Sequence, residues 1–331
     1  MSETSRGDIQ LSVISPMYNE EPTIRDCAGK LIEALKSFDG TWELILVDDG
    51  SGDNTLNIIS QLAENDQRIK IVSYKQNRGR GYALRAGFAH CRGRYVVTVE
   101  SDLTWGEDIV SRLYSQLLDT DADIVIASPY AKGGRLENVP FKRAFLSWLG
   151  NRILRVTVSS DITMLSGMTR GYKGDFIRSL PLCEDGKEIH LEIVSKACML
   201  GASFSEIGAT LRWAEAKKGK PKRKSKFKLA KLVRSHLLFG FNEAPILLFG
   251  SIGAAVLAAG LILGAYLYFL HFLKGEVIGH RVVLIITTIF LVLSGLSMFL
   301  FCFLAYQIRD LRKEMFKSRY EMLQRPAKPG D

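Results

Sequence analysis

The sequence predicts an α/β domain built on a mainly parallel sheet, followed by a basic amphipathic segment and a two-helix transmembrane hairpin. Three observations carry that prediction. Short apolar runs alternate with longer amphipathic ones from Leu11 to Leu118 and on to Ala127, the pattern of repeated βα units. Ten Lys or Arg and no acid lie between Lys217 and Arg234. Two uncharged runs follow, Ala244 to Leu273 (30 residues) and Val282 to Ile308 (27 residues), each longer than the ~20 residues that cross a bilayer core. At 331 residues, 47% hydrophobic and 24% charged, the chain is outside the disordered, collagen-like and coiled-coil classes and has room for a full core and a second module.

Leu11–Ser15, Glu43–Val47, Ile69–Ser73, Tyr95–Val99 and Ile124–Ala127 read as buried strands. Thr23–Ser37, Thr55–Glu64, Gly81–His90 and Asp108–Leu118 carry helical periods between them. The alternation wraps both faces of the sheet in helices, and ligands of such sheets bind beyond the carboxyl ends of the strands.

The net charge of +9 is local, because outside Lys217–Arg234 there are 34 basic and 35 acidic groups. A basic block beside a membrane span is attracted to anionic lipid head groups, and its position favours membrane lipids over nucleic acid as partner. Phe227, Leu229, Leu232, Val233, Leu237 and Leu238 recur at spacings that give a helix one apolar face for the interface. Transmembrane helices are expected at about 244–270 and 282–306, and they offer the surface for any homo-oligomer. Arg309, Arg312, Lys313, Lys317, Arg319, Arg325 and Lys328 follow them, so the positive-inside bias puts both termini in the cytoplasm, with about Lys274 to Arg281 outside. MSETSRGDIQ lacks the apolar core of a signal peptide. The expected division is a cytoplasmic α/β domain at 1–216, a juxtamembrane segment at 217–243, the hairpin at 244–308 and a basic tail at 309–331. Cys27, Cys91, Cys183, Cys198 and Cys302 show no Cys-x-x-Cys or zinc spacing and read as reduced thiols.

The unusual residues fall after successive strands. Ser15-Pro16-Met17-Tyr18-Asn19-Glu20-Glu21 offers a ring for stacking and acids for a base or ribose, or equally a helix cap. Val47-Asp48-Asp49-Gly50-Ser51-Gly52-Asp53 ends the second strand with paired acids suited to hydroxyl or base N–H groups; Asp53 alternatively caps the next helix. Asn77-Arg78-Gly79-Arg80-Gly81-Tyr82-Ala83 reads as a glycine-rich turn opening a helix, with exposed amides and two arginines suited to phosphate. Glu100-Ser101-Asp102 sets two acids on one side of an extended segment, able to share a hard divalent cation that also binds a pyrophosphate.

The order of these pieces resembles family 2 glycosyltransferases with the GT-A fold over roughly Leu11 to Ile126. Lys142-Arg143, Ser147, Asn151, Asp161, Thr163, Ser166-Gly167-Met168 and Ser225-Lys226 ahead of a two-span hairpin look like the polyprenyl-phosphate branch that includes dolichol-phosphate mannose synthases. The resemblance implies a Rossmann-like catalytic domain and metal-dependent, inverting transfer of a sugar from a UDP- or GDP-linked donor to a polyprenyl phosphate at the cytoplasmic membrane face. It implies that Pro16, Tyr18, Glu20, Asp49, Arg80, Glu100, Ser101 and Asp102 bind the nucleotide sugar and that Asp102 and Glu100 hold Mg2+ or Mn2+. It further implies that Arg143 and Ser147 bind the lipid phosphate, with Asp102, Arg143 and Ser147 as the catalytic set. Glu100 stands where the family usually has Asp, Thr104 where Gln often follows, and Ser128-Pro129-Tyr130 lacks the arginine of Ser-Arg-Tyr unless Arg135 or Lys132 replaces it.

An acceptor that is already a phosphate anion needs no general base, so charge positioning and leaving-group stabilisation suffice. Transfer to a lipid hydroxyl, the alternative within enzymes, requires a carboxylate base, for which Asp108, Asp161, Glu188 and Glu192 are candidates. A processive polysaccharide synthase would place a Gln where Ala209 precedes Arg212-Trp213. A membrane-tethered nucleotide-binding scaffold is the reading outside enzymology. His90 and His190 lie in helical patterns and read as packed or solvated.

Overall fold

The computed structural model describes residues 9–140, 144–145, 147–148, 151–152, 162–212, 249–275 and 281–324. Lys142, Arg143, Asp161, Trp213 and the Lys217–Arg234 block lie outside the described residues. The chain divides into two compact units, residues 1–225 with 320–331, and residues 226–319.

The first unit begins with β1 (Leu11–Met17), α1 (Glu21–Lys36), β2 (Trp42–Asp48), α2 (Thr55–Asn65), β3 (Ile69–Ser73), α3 (Arg80–His90), β4 (Tyr95–Thr98), α4 (Ile109–Thr120) and β5 (Ile124–Ser128). Every residue of β1, β2 and β5 is buried, as strands covered on both faces require. β6 (Arg135–Glu137), β7 (Arg170–Lys173), α5 (Gly174–Ser179), α6 (Ile189–Met199), β8 (Phe204–Gly208) and β9 (Thr210–Arg212) follow. The main sheet runs β3-β2-β1-β4-β7-β5-β8, and β6 pairs with β9 in a separate two-stranded sheet. All neighbours in the main sheet are parallel except β7, which is antiparallel to both β4 and β5.

β7 is the departure from the expected βα repeat. Its Arg170 is fully buried and donates from Nη2 to the Leu165 carbonyl at 2.6 Å and from Nη1 to the His190 carbonyl at 3.1 Å. Burial holds its pKa below the usual arginine value. A cation in the sheet centre thus ties the segment before β7 to the first turn of α6.

Strand order reverses at β1, which has β2 on one side and β4 on the other, and this opens a crevice beyond their carboxyl ends. The Val99 N–H donates to the Ile14 carbonyl and the Asp49 N–H to the Met17 carbonyl, so even residues of β1 face β4 and odd ones face β2. Pro16 therefore turns its missing N–H toward β4, whose pairing with β1 has ended at Thr98. A proline costs no ladder bond there.

At the opposite end of the sheet, buried Glu43 accepts from Ser12 Oγ (2.6 Å) and the Arg92 N–H (2.6 Å) and pairs with Lys70. Ser12 Oγ in turn accepts from the Gly93 N–H at 2.7 Å, which pins the start of β4 to β1 and β2.

The second unit contains α7 (Ser251–Phe272) and most of α8 (Val282–Gln324). Both are long and apolar enough to cross a membrane, and only 17% and 6% of their most apolar windows are buried, so they are not core helices. Gly260 and Gly295 sit at their contact, where added Cβ atoms would approach Val292 to 2.9 Å and Leu257 to 2.8 Å, the small-residue packing of membrane helices. The expected start of the first helix, near 244, lies outside the described residues, and α8 continues beyond Ile308 through Arg309–Gln324 because that stretch is built of strong helix formers.

Candidate active site at the carboxyl ends of β1, β2 and β4

A cleft of about 400 Å³ opens at this crevice. Pro16, Tyr18, Glu20, Asp49, Arg80, Glu100, Ser101 and Asp102 all line it, joined by Asn77, Met168, Gly186 and Lys187. A larger cavity of about 590 Å³ beside α3 and α5 holds none of the expected residues; its Arg85 and Arg178 are paired with Asp185 and Asp175.

The loop after β1 is interlocked with the loop after β2. Asn19 takes a left-handed conformation (φ 54°), its N–H donates to Ser51 Oγ at 3.0 Å and its Oδ1 accepts from the Gly52 N–H at 2.9 Å. The Glu20 N–H donates to Thr55 Oγ1 at 2.9 Å, and the Glu21 N–H to Asp53 Oδ2 at 3.3 Å. Asp53 Oδ1 also accepts from the Thr55 N–H at 3.0 Å, so it both holds the first N–H of α2 and anchors the neighbouring loop. Tyr18, 39% exposed, is left as a ring at the cleft wall.

Asp49 organises the glycine-rich turn. Its Oδ1 accepts from Tyr74 OH (2.8 Å), the Arg78 N–H (2.9 Å) and the Gly79 N–H (3.1 Å), and its Oδ2 from Asn77 Nδ2 (2.9 Å) and Gly79 N–H (3.0 Å). Burial and the Asp49 carboxylate push the Tyr74 phenol up, away from ionisation. Part of the turn is occupied by the chain itself, because the Gly81 and Tyr82 N–H groups donate to the Asp185 carbonyl at 2.8 and 3.3 Å. Arg78 lies over the Tyr82 ring at 3.6 Å, so of the two arginines Arg80 alone lines the cleft.

Glu100 and Asp102 sit on a turn, closed by the Leu103 N–H to the Glu100 carbonyl (3.3 Å) and by Leu103 at φ 50°, rather than on an extended segment. Glu100 accepts from Thr104 Oγ1 at 3.0 Å and has Arg80 Nη1 at 3.9 Å. Burial pushes its carboxyl up, with Asp102 adding to the effect and Arg80 opposing it. Asp102 is exposed and accepts a single long bond, 3.3 Å from the Thr104 N–H. Thr104, where the resemblance suggests Gln, thus orients both acids, and its carbonyl accepts from the Arg212 N–H at 2.8 Å. Two hard oxygen donors at the cleft fit a Mg2+-like ion, which takes one or two carboxylates and completes its shell with phosphate oxygens and water. Among the described residues no group of three or more His, Cys, Asp or Glu could hold a metal.

Beyond the cleft, Ser147 is half-buried and its carbonyl accepts from Asn151 Nδ2 at 2.9 Å. Asn151 Oδ1 accepts from the Leu165 N–H (2.8 Å) and the Ser166 N–H (3.3 Å). Glu206 accepts from the Thr163 N–H (2.8 Å) and Thr163 Oγ1 (2.9 Å), and Thr163 meets Ser128 Oγ at 2.6 Å. Arg143 lies outside the described residues, and neither Lys132 nor Arg135 lines the cleft. The candidate bases fare differently from the cleft residues. Asp108 pairs with Arg112. Glu192 accepts from the Cys183 and Glu184 N–H groups (both 2.9 Å) and from Lys196 Nζ (2.6 Å). Neither these nor Glu188 line the cleft, and Asp161 is outside the described residues. His190 is buried and held neutral by desolvation and by Arg170, Arg80 and Lys187, and His90 is exposed. Lys187 is the charged cleft residue that sequence reading missed, although a Gly-Lys pair after two acids was its signal.

The chain is 26% identical over 294 residues to dodecaprenyl-phosphate galacturonate synthase of Rhizobium johnstonii, covering 88% of this chain and 85% of the relative. It is 23% identical over 268 residues to undecaprenyl-phosphate 4-deoxy-4-formamido-L-arabinose transferase of Shewanella sediminis, covering 80% and 76%. In fold it resembles glucosyl-3-phosphoglycerate synthase of Mycobacterium tuberculosis, solved with Mn2+, UDP and glucosyl-3-phosphoglycerate, at a TM-score of 0.51 and 20% identity over 71% of this chain and 80% of that one. The model of the family described as glycosyl transferase family 2 matches residues 12–180, just over half of the chain, and the chain belongs to that family as a glycosyltransferase.

Proposed function

We propose that the protein transfers a sugar, with inversion, from a nucleotide sugar to a polyprenyl phosphate at the cytoplasmic face of a membrane. The observation that carries the reading is the single cleft at the strand-order reversal, which gathers Tyr18, Asp49, Arg80, Glu100 and Asp102 from loops separated in sequence. The relatives named for polyprenyl-phosphate substrates and the two apolar helices support the acceptor.

Tyr18 and Glu20 receive the base and ribose, on a wall held by the interlocked loops and by Asp49. The phosphate anion of the acceptor attacks C1 of the sugar from the face opposite the nucleotide. The C1–O bond to the diphosphate breaks, its electron pair leaves with the nucleoside diphosphate, and no proton has to be removed. Among the described residues the cleft is lined by no histidine, and Asp108, Glu188 and Glu192 lie outside its lining. Arg80 and Lys187 supply positive charge to the departing diphosphate. Asp102 and Glu100 would hold Mg2+ or Mn2+, which when bound offsets the same developing charge. Arg143 and Ser147 receive the lipid phosphate, and the basic segment at 217–243 holds the domain to the head groups.

The test is an acceptor pair. Purified full chain with Mg2+ or Mn2+ and a panel of UDP- and GDP-sugars is expected to glycosylate undecaprenyl phosphate and leave undecaprenol unmodified. Glycosylation of the alcohol instead would refute the reading.

A further inference from the structure

The loop between α5 and α6, which carries Lys187, closes one side of the cleft. On one flank the Asp185 carbonyl accepts from the Gly81 and Tyr82 N–H groups, and its carboxylate pairs with Arg85 and, at 3.7 Å, with Arg78. On the other flank Glu192 accepts from the Cys183 and Glu184 N–H groups. The fit to α3 is backbone-tight, since a Cβ on Gly81 would lie 2.3 Å from the Glu184 carbonyl oxygen and 2.7 Å from that of Gly186. The glycines of the turn therefore admit this loop. Arg80 is the residue before Gly81, Lys187 is two residues after Asp185, and both line the cleft. Asp185 thus joins the two segments that bring cations to it.

We propose that Asp185 is a positioning residue for the transfer, which holds Arg80 and Lys187 in register for the departing nucleoside diphosphate. The proposal rests on the donor-site reading above. Its sign is diagnostic. Neutralising a carboxylate near an anion site strengthens anion binding if the carboxylate acts only through its charge, whereas loss of a positioning residue weakens it.

The test uses full-length protein in detergent with Mg2+, titrated with UDP and separately with GDP by calorimetry. Asp185→Asn keeps the side-chain shape, and Gly81→Ala displaces the loop while retaining every charge. Both are expected to weaken binding of the diphosphate that the parent prefers by about tenfold, the order expected when charge-assisted contacts are misaligned. The KM for the matching nucleotide sugar is expected to change less, because its diphosphate carries less charge than the released product. Asp66→Asn, which breaks the Arg68 pair away from the cleft, is expected to leave affinity unchanged. Unchanged or tighter binding in Asp185→Asn overturns the positioning role, as does a lowered melting temperature with parental affinity. If the parent binds neither diphosphate, the donor-site reading itself fails and the proposal falls with it.

Discussion

Asp49→Asn separates a scaffold role for this carboxylate from a purely substrate-binding one. Four groups donate to Asp49, and an amide can serve them in only one orientation. With its oxygen at the Oδ1 position it keeps Tyr74 OH and the Arg78 and Gly79 N–H groups, and its NH2 then faces Asn77 Nδ2, now 2.9 Å from another donor. Asn77 cannot flip without penalty, since its Nδ2 also donates to the Asp49 carbonyl at 3.0 Å. One buried bond is lost and three fall from charge-assisted to neutral strength, together about 3 kcal/mol. For a domain of this size that corresponds to a fall of roughly 6–12 °C in melting temperature. Thermal unfolding of the full chain in detergent reads the fall, and UDP or GDP titration reads the loss of the cleft wall. A melting temperature within about 2 °C of the parent, with parental nucleotide affinity, would show that Asp49 does not hold the turn.

Asp102→Ala is expected to abolish transfer with an unchanged melting temperature, because the side chain is exposed and accepts one long bond; parental turnover would remove it from the reaction. Thr104→Val deletes the 3.0 Å bond to Glu100 and should lower kcat about tenfold while leaving the fold intact, as an orienting contact of ~1.4 kcal/mol would. Glu43 gives a pH signature. Burial alone would raise its pKa, but bonds from Lys70, Ser12 and the Arg92 N–H outweigh that and hold it below the ordinary 4.5. A depressed carboxylate stabilises the fold above its unfolded pKa and loses that contribution as pH falls through the folded value. Glu43→Gln should therefore cost about 2 kcal/mol at neutral pH, with the gap to the parent closing below pH 4.5; a gap independent of pH would contradict it. Truncation after Ala216 is expected to keep nucleotide binding and lose activity on bilayer-embedded acceptor, and equal activity of both chains would reduce the rest to a tether.

Much of the fold was legible because β1 to β5 are apolar runs that fill both faces of a sheet, and α1 to α4 carry a clear helical period. The site was legible for a related reason. Parallel sheets bind ligands beyond their strand ends, so Tyr18, Asp49, Glu100 and Asp102 stood out where each strand stopped. β7 was hidden because Arg170-Gly171-Tyr172-Lys173 is short and polar, and its burial depends on carbonyls of Leu165 and His190. The clamp by Asp185 was hidden because it joins residues about a hundred positions apart, and no local pattern records such a contact. The glycine turn read as a phosphate cradle from its local pattern; the chain supplies acceptors for its Arg78 and Gly79 amides from Asp49 and for its Gly81 and Tyr82 amides from Asp185. Residues 309–324 read as a tail by their charge, although their helix propensity continues α8.

The most direct measurement is the linkage and anomeric configuration of the product formed from a uniformly labelled α-linked nucleotide sugar and undecaprenyl phosphate, by 31P and 1H NMR. The account predicts a sugar-1-phosphodiester with the β configuration, formed only with phosphorylated lipid and accompanied by one nucleoside diphosphate per transfer. A retained α configuration, or a sugar attached through a lipid hydroxyl, would contradict it.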